Sequence, residues 1–247
     1  MGSLRKTVVI VSDIHLMSEE DERGRLLLEL LRQVQENSRV SHLVLLGDIF
    51  DFCFGSSVYF QNKFKKIGQA LGEVQRSGCQ VLFFQGNHEF SLRDLKWPGV
   101  DFIDTKDFLL ATSSGTRLIF SHGDRLKAPW HYDLYLRITR SSLFRVLALL
   151  MLQRRLDKFC LELSLLSRKN GQNKRIDHKS LLALLDGWLL SSGADHAVVG
   201  HFHIPYDWAS HKKPGARVLG LSSWDSPNAL IFEEGEFRRL APPFFNS

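Results

Sequence analysis

Residue types that bind metal ions stand directly after a short apolar run in the last quarter of the chain. The run Val-Val-Gly ends at Gly200, and His201 and His203 follow it with one residue between them. Their spacing of two places both imidazoles on the same side of an extended strand end. Taken alone, the pattern has two interpretations: the end of a core strand that contains histidine, or half of a metal site whose other half lies upstream.

Four more apolar runs end in the same way, and the whole series favours the metal site. Each run has the length and composition of a buried strand and is followed by glycine or serine and then by Asp, Asn or His. In open parallel sheets the carboxyl ends of the strands line one crevice, so polar groups from distant parts of the chain meet there. Five such endings make coincidence a poor explanation. They are Ser12-Asp13-Ile14-His15, Gly47-Asp48, Gly86-Asn87-His88-Glu89, Ser121-His122-Gly123-Asp124 and Gly200-His201-Phe202-His203.

The candidate donors indicate a particular ion chemistry. Carboxylate, amide and imidazole groups without thiolate suit Mn²⁺, Fe²⁺ or Zn²⁺ rather than a closed structural zinc site. Seven side chains exceed what one ion needs, so we predict two divalent ions that share a bridging carboxylate. Such a pair can activate water and clamp the oxygens of a phosphorus centre, which predicts hydrolysis of a phosphoester or phosphoanhydride. The candidate metal ligands are Asp13, His15, Asp48, Asn87, His122, His201 and His203.

The elements that must position these donors alternate between strands and helices. In the first half, the runs TVVIVS, HLVLLGD and CQVLFFQGN predict strands, and GRLLLELLRQVQEN and FKKIGQALGEVQRSG predict amphipathic helices. This alternation predicts an α/β fold with a largely parallel sheet and helices on its faces. After RLIFSHGD the sequence becomes leucine-rich, and strands return at HAVVGHFH, ARVLGLSSW and ALIFEEGEF. We predict one domain, residues 1–247, with a helical insertion at about 128–190.

Composition limits the class of protein and its partners. The 247 residues, 44% of them hydrophobic and 24% charged, fit one globular domain. Three cysteines without a CxxC pair indicate reduced thiols and a cytoplasmic location. The apolar run after the first basic residues is too short for a signal peptide, and no stretch is long enough to span a bilayer. The net charge of +5 is dispersed along the chain, so we expect no nucleic-acid partner.

The ordered motifs Asp-x-His, Gly-Asp, Gly-Asn-His-Glu, His-Gly-Asp and Gly-His-x-His resemble the signature of the calcineurin-like metallophosphoesterases. The resemblance covers residues 7 to about 125 and 195 to 232, and it implies that family's α/β sandwich with helices on the sheet faces. It also implies two divalent ions, with Mn²⁺ favoured over Fe²⁺ and Zn²⁺. Position by position, it assigns Asp13, His15 and His203 to one ion, Asn87, His122 and His201 to the other, and Asp48 to the bridge.

Shorter strings carry a narrower resemblance. GDIFDFCFG, GNHEF, SHGD and VLGLSSW, with a helical insertion after His-Gly-Asp, are similar to the UDP-2,3-diacylglucosamine pyrophosphatases of lipid A synthesis. That family splits a nucleotide-activated, acylated sugar into UMP and the acylated sugar 1-phosphate. The residue after the Asn is often arginine there, whereas this chain has His88.

His88 changes the expected chemistry. A phosphate leaving group, whose second pKa is about 6, needs little help from an acid, and arginine can then serve by charge alone. Histidine can also protonate a poorer leaving group. We therefore expect His88 and Asp48 to be the catalytic residues, with His88 contacting the phosphorus-bound oxygens together with Asn87. The alternative is that His88 only orients Asn87.

The insertion carries the remaining expectations. The segment LFRVLALLML is apolar nearly all round and predicts either a core helix or a lid whose inner face receives acyl chains, with peripheral contact to a membrane surface. Asp124 is either a substrate contact, a support for His122 or a turn residue. Further candidate substrate-binding residues are Ser167, Asn170, Asn173 and Lys174.

Two other functions stay open at this point. The first is a phosphodiesterase or nucleotide phosphatase of broader specificity, against which the large leucine-rich insertion speaks. The second is a metal-depleted scaffold that keeps the fold as a binding module. A scaffold of that kind predicts missing ligands, and all seven candidate ligands are present.

Overall fold

The computed structural model describes residues 6–126 and 177–245, together with six single positions between these ranges. The predicted substrate residues Ser167, Asn170, Asn173 and Lys174 lie outside the described residues, as does most of the predicted insertion. The six single positions are Leu134, Ile138, Ser141, Leu143, Val146 and Glu162.

The described elements alternate between strands and helices in the first half of the chain, as predicted. In chain order they are β1 (Thr7–Val11), α1 (Glu22–Glu36), β2 (Val40–Leu45), β3 (Cys53–Phe54), α2 (Val58–Lys63), α3 (Lys65–Arg76), β4 (Gln80–Phe84), β5 (Glu89–Phe90), a 3₁₀ helix (Leu92–Leu95), β6 (Val100–Ile103), β7 (Phe108–Ala111), β8 (Arg117–Ser121), α4 (His178–Ser192), β9 (His196–Val199), β10 (Asp207–Ala209), β11 (Arg217–Gly220), β12 (Ala229–Glu233) and β13 (Glu236–Leu240).

The first sheet has six strands in the order β13-β12-β1-β2-β4-β6. Its strands β1, β2, β4 and β6 are parallel, and β12 and β13 complete it in antiparallel pairs. Every residue of β1 is buried, because the strand is covered on both faces. Val9 and Val11 pack in the cluster that contains α1 and α3, whereas Val8 and Ile10 pack against the second sheet.

The second sheet has five strands in the order β10-β11-β9-β8-β7. Strands β8, β9 and β11 are parallel, and β7 and β10 form antiparallel edges. Phe120, Val198 and Leu219 face the first sheet, and α4 covers the opposite face through residues such as Leu185 and Leu189. The result is a helix–sheet–sheet–helix sandwich, which confirms the fold class.

Local sequence signals explain where the helices begin and end. The Asp21 carboxylate accepts a hydrogen bond from Gly24 N–H at the start of α1. The helix α3 starts where the buried Glu19 carboxylate accepts from Ile67 N–H, and the chain leaves it at Gly78 with φ of 91°. No helix in the described ranges is long and apolar enough to cross a bilayer.

Candidate metal centre

The loops that follow β1, β2, β4, β8 and β9 meet at one edge of the sandwich. The first three belong to one sheet and the last two to the other, so both sheets contribute donors. The loops after β1 and β2 run side by side, because Asp13 N–H donates to Gly47 O at 3.1 Å and His15 N–H donates to Asp48 O at 3.1 Å. Across the sheets, His201 N–H donates to the Asp13 carboxylate at 3.0 Å.

Many of the candidate ligands have an unusual backbone conformation. A positive φ is unfavourable for residues that carry a Cβ, and such residues cluster at functional sites, where the surrounding structure holds them. Here the tight turns after β1, β2 and β9 direct consecutive polar side chains toward the same crevice. The candidate ligands with positive φ are Asp13 (53°), His15 (51°), Asp48 (50°), His201 (65°) and His203 (56°).

One group of donors joins the two ends of the chain. The ligand atoms of Asp13, His15 and His203 all lie within 4.8 Å of one another. His203 Nε2 is 3.2 Å from Asp13 Oδ1, and His15 Nε2 is 3.4 Å from His203 Nε2. One carboxylate and two imidazoles facing a common point form a ligand set that suits a divalent transition metal.

A second group lies beside the first. The ligand atoms of Asp48, His122 and His201 again lie within 4.8 Å of one another. His122 Nε2 is 3.4 Å from Asp48 Oδ2 and 3.2 Å from Asn87 Oδ1, which brings Asn87 into this group. On its far side, His122 Nδ1–H donates to Leu46 O at 2.9 Å, and this directs Nε2 into the centre.

Asp48 lies next to both groups. It belongs to the second group, and its carboxylate also lies within 4.8 Å of the ligand atoms of His15 and His88. The structure thus brings the seven predicted ligands together at one edge of the sandwich.

The buried charges of the centre fit metal ions. Asp13 and Asp48 are 0% and 1% exposed, and no Lys or Arg within the described ranges pairs with either carboxylate. Buried carboxylates need a compensating positive charge. In addition, the buried Nδ1 of His15 has no hydrogen-bond partner among the described residues. Two divalent cations would compensate the carboxylates, and His15 offers them an imidazole.

The pKa values of the histidines differ with their surroundings. Burial lowers the pKa of His15 to about 4 and that of His201 to about 4, so both rings are neutral and available as ligands at pH 7. Burial also acts to lower the pKa of His122, but the neighbouring Asp48 carboxylate outweighs it and raises that pKa well above its usual range. Burial raises the pKa of Asp48, yet the charges of His122 and His88 hold it well below its usual range.

The predicted catalytic residue His88 lies at the same edge. Its Nδ1–H donates to Asp51 O at 2.7 Å, and its Nε2 is 3.9 Å from Asp48 Oδ2.

The predicted substrate contact Asp124 is partly buried, and its carboxylate is close enough to act on the pKa of both His122 and His201.

Sequence reasoning missed the role of Glu89. Its buried carboxylate accepts four backbone N–H groups, from Asp48, Ile49, Phe50 and Gly86, at 2.8 to 3.2 Å. Burial and then the Asp48 charge raise the pKa of Glu89 to about 8, while these N–H groups act in the opposite direction. The motif Gly-Asn-His-Glu was the available signal, since its fourth residue had no assigned role.

Sequence reasoning also did not predict that the positions before the ligands need a residue without a Cβ. A Cβ on Gly86 would clash with the Asp48 carboxylate, and a Cβ on Gly200 would clash with the Ser12 hydroxyl. The repeated Gly-Asp, Gly-Asn and Gly-His pairs therefore reflect close approach of the backbone to a neighbouring loop.

The fold and the paired donor groups define a metallohydrolase, and comparison with known families agrees. Residues 6–205 match the model of the calcineurin-like phosphoesterases, and the chain belongs to that family.

Relatives with more specific names cover nearly the whole chain. It is 27% identical over 239 residues to a UDP-2,3-diacylglucosamine hydrolase of Aeromonas salmonicida, an alignment that spans 94% of this chain and 92% of the relative. It is 29% identical to a protein of the same name from Pseudomonas fluorescens, with 95% of each chain covered. A dimetal phosphatase from Danio rerio aligns with 94% of each chain at 13% identity and a TM-score of 0.47.

Proposed function

We propose that this hydrolase uses two divalent ions, Mn²⁺ in the first place, to cleave the pyrophosphate bond of UDP-2,3-diacylglucosamine. The products are UMP and 2,3-diacylglucosamine 1-phosphate. The observation that carries the proposal is that two groups of candidate ligands, each with donors from both sheets, lie side by side; Asp48 belongs to one group, and its carboxylate lies within 4.8 Å of the His15 ligand atom of the other. The names of the relatives that cover the chain support this substrate over other phosphoanhydrides.

Each candidate ligand has a place in this proposal. Asp13, His15 and His203 would hold one ion, Asn87, His122 and His201 would hold the other, and Asp48 would be the ligand that both share. When bound, the two ions supply Lewis-acid stabilisation of the phosphorus-bound oxygens and lower the pKa of water.

The protein itself supplies orientation and proton transfer. The carbonyl oxygens of Leu46 and Asp51 fix the tautomers of His122 and His88 by accepting from Nδ1–H. With Nδ1 occupied in this way, His88 can donate a proton from Nε2 only when its ring carries both protons. His88 then stabilises the charge on the phosphorus-bound oxygens and, for a poor leaving group, protonates the departing oxygen.

The lipid part of the substrate is consistent with exposed apolar residues in the insertion. Leu143 is 70% exposed, and Leu134, Ile138 and Val146 are also exposed. Apolar side chains that stay in contact with water favour an acyl chain or a membrane surface as their partner. Peripheral binding to the cytoplasmic face of a membrane is part of this proposal.

The second candidate function is a phosphodiesterase or nucleotide phosphatase of broader specificity. His88 favours it, because histidine can protonate alkoxide leaving groups that arginine cannot. A preference for the acylated sugar nucleotide over simple nucleotide diesters would decide against this candidate.

Release of UMP from UDP-2,3-diacylglucosamine in the presence of Mn²⁺ tests the proposal. We expect activity in the wild-type protein, none after chelation, and a loss of at least about 10³-fold in Asp48→Asn, because the carboxylate between the groups is removed. His211→Ala is the matched control, since His211 is exposed and outside both ligand groups. Metal-dependent cleavage of simple diesters without UMP release from the lipid substrate would refute the assigned substrate.

A further inference from the structure

Glu89 ties two of the metal-binding loops together. Its Oε1 accepts from Ile49 N–H at 2.8 Å and Phe50 N–H at 3.1 Å, and its Oε2 accepts from Gly86 N–H at 2.8 Å and Asp48 N–H at 3.2 Å. The first two donors and Asp48 belong to the loop after β2, and Gly86 belongs to the loop after β4. The distance between these loops determines how the Asp48 carboxylate and the Asn87 amide face the centre.

The same contacts hold Asp48 in its unfavourable conformation. Asp48 has φ of 50°, and its own N–H is one of the four that Glu89 accepts. The Asp48 carboxylate in turn accepts from His88 N–H at 3.0 Å, which closes a small network between the two loops. Removing the Glu89 acceptor would leave several N–H groups in a buried environment without a partner.

We propose that Glu89 is a positioning residue for the metal pair: it holds the Asp48 and Asn87 loops at the separation that lets one carboxylate bridge two ions. This inference rests on the proposed dinuclear centre. Among the described residues, Glu89 belongs to none of the candidate ligand groups, so we assign it no ligand role.

A Mn²⁺ titration of Glu89→Gln, followed by calorimetry and by EPR, tests the inference without measuring activity. Gln is nearly isosteric, but its amide NH₂ would face N–H donors that now meet a carboxylate oxygen. We expect Mn²⁺ affinity to fall by roughly 10–100-fold, the usual effect of losing a residue that orients metal ligands. We also expect the EPR signal of a magnetically coupled pair to give way to that of isolated Mn²⁺, because Asp48 no longer bridges.

Glu19→Gln is the matched control. Glu19 is also a buried glutamate that accepts a backbone N–H, from Ile67 at 2.8 Å, but it lies at the start of α3 and outside the ligand groups. We expect this variant to melt at a lower temperature and to keep both the affinity and the coupled signal.

Three results would overturn the inference. Wild-type affinity together with a coupled signal in folded Glu89→Gln would assign Glu89 to loop stability alone. If Glu89→Gln does not fold, Glu89→Asp replaces it: the shorter carboxylate cannot span both loops, so unchanged affinity and coupling there would have the same meaning. A wild-type protein without any coupled Mn²⁺ pair would refute the dinuclear centre itself, and this inference with it.

Discussion

At the scale of single residues, backbone carbonyl groups decide what the histidines can do. His122 and His88 both donate Nδ1–H to a carbonyl oxygen, of Leu46 and Asp51 respectively, so both direct Nε2 toward Asp48. For His122 this is the orientation of a metal ligand. For His88 it places the ring nitrogen where it can meet a phosphorus-bound oxygen or a leaving group.

Replacing His88 by alanine separates its two proposed roles, which are charge stabilisation and proton donation. We expect a larger loss of kcat/KM on a diester with a poor alkoxide leaving group than on one with an activated aryl leaving group, since only the first needs a proton. General acid catalysis contributes about 10²–10⁴-fold, which sets the expected difference. Steady-state rates of His88→Ala and His211→Ala on both substrates provide the measurement. An equal loss on the two substrates would leave His88 with charge stabilisation alone.

The residue types of the centre could be predicted from the sequence, but their supports could not. Asp, Asn and His after apolar runs identify the side chains that the structure brings together. The partners of His88 and His122 are main-chain carbonyls, which every residue carries, so no sequence pattern marks them. Glu89 was overlooked for the same reason, because its four partners are backbone N–H groups.

At the scale of secondary-structure elements, the length of each apolar run determined how well it could be predicted. The runs of β1, β2 and β4 are buried over most of their length and were predicted as strands. Strands β6 and β7 were not predicted, because they have four residues each and are only partly buried. Edge strands of this kind bury too little to show the pattern on which the prediction depends.

One pairing between elements predicts a pH dependence of stability. His196 on β9 accepts Arg217 N–H at its Nδ1, at 3.1 Å, where β9 pairs with β11. Burial lowers the pKa of His196, so the folded protein resists a protonation that the unfolded chain undergoes near pH 6.5. The stability that His196 contributes is therefore present above about pH 6.5 and is lost as the pH falls below that value.

The variant His196→Gln measures this contribution. Gln offers an amide oxygen to Arg217 N–H and does not titrate, so we expect its free energy of unfolding to fall less than that of the wild type between pH 7.5 and pH 5.5. Urea denaturation at several pH values, with a chelator in every sample, gives both curves. Parallel curves for the two proteins would contradict the prediction.

At the scale of the whole molecule, the two sheets meet through a common core and through the metal centre. Val8 and Ile10 on the first sheet pack against Phe120 and Val198 on the second. The sequence predicted these runs as buried strands. It could not tell which sheet a run would join, because a strand covered on both faces shows the same unbroken apolar pattern in either sheet.

Metal binding at this junction predicts a gain in stability. A ligand that binds only the folded state stabilises it by about 2.7 kcal/mol at a concentration of 100 times its Kd, and for a chain of this size that amounts to roughly 5–11 °C in Tm per ion. We expect Mn²⁺ to raise the Tm of the chelated wild type by at least this amount. Differential scanning calorimetry with and without Mn²⁺ measures the shift, and Asp48→Asn should show a much smaller one. An equal shift in both proteins would place the ions elsewhere.

The division of the donors between two sheets also has a consequence for folding. In the proposed centre His203 would serve one ion and His201 the other; both follow β9 of the second sheet, whereas Asp13 follows β1 of the first. Neither set of ligands is therefore complete until the two sheets have packed against each other. Metal loading is thus expected to follow the docking of the sheets and not to precede it.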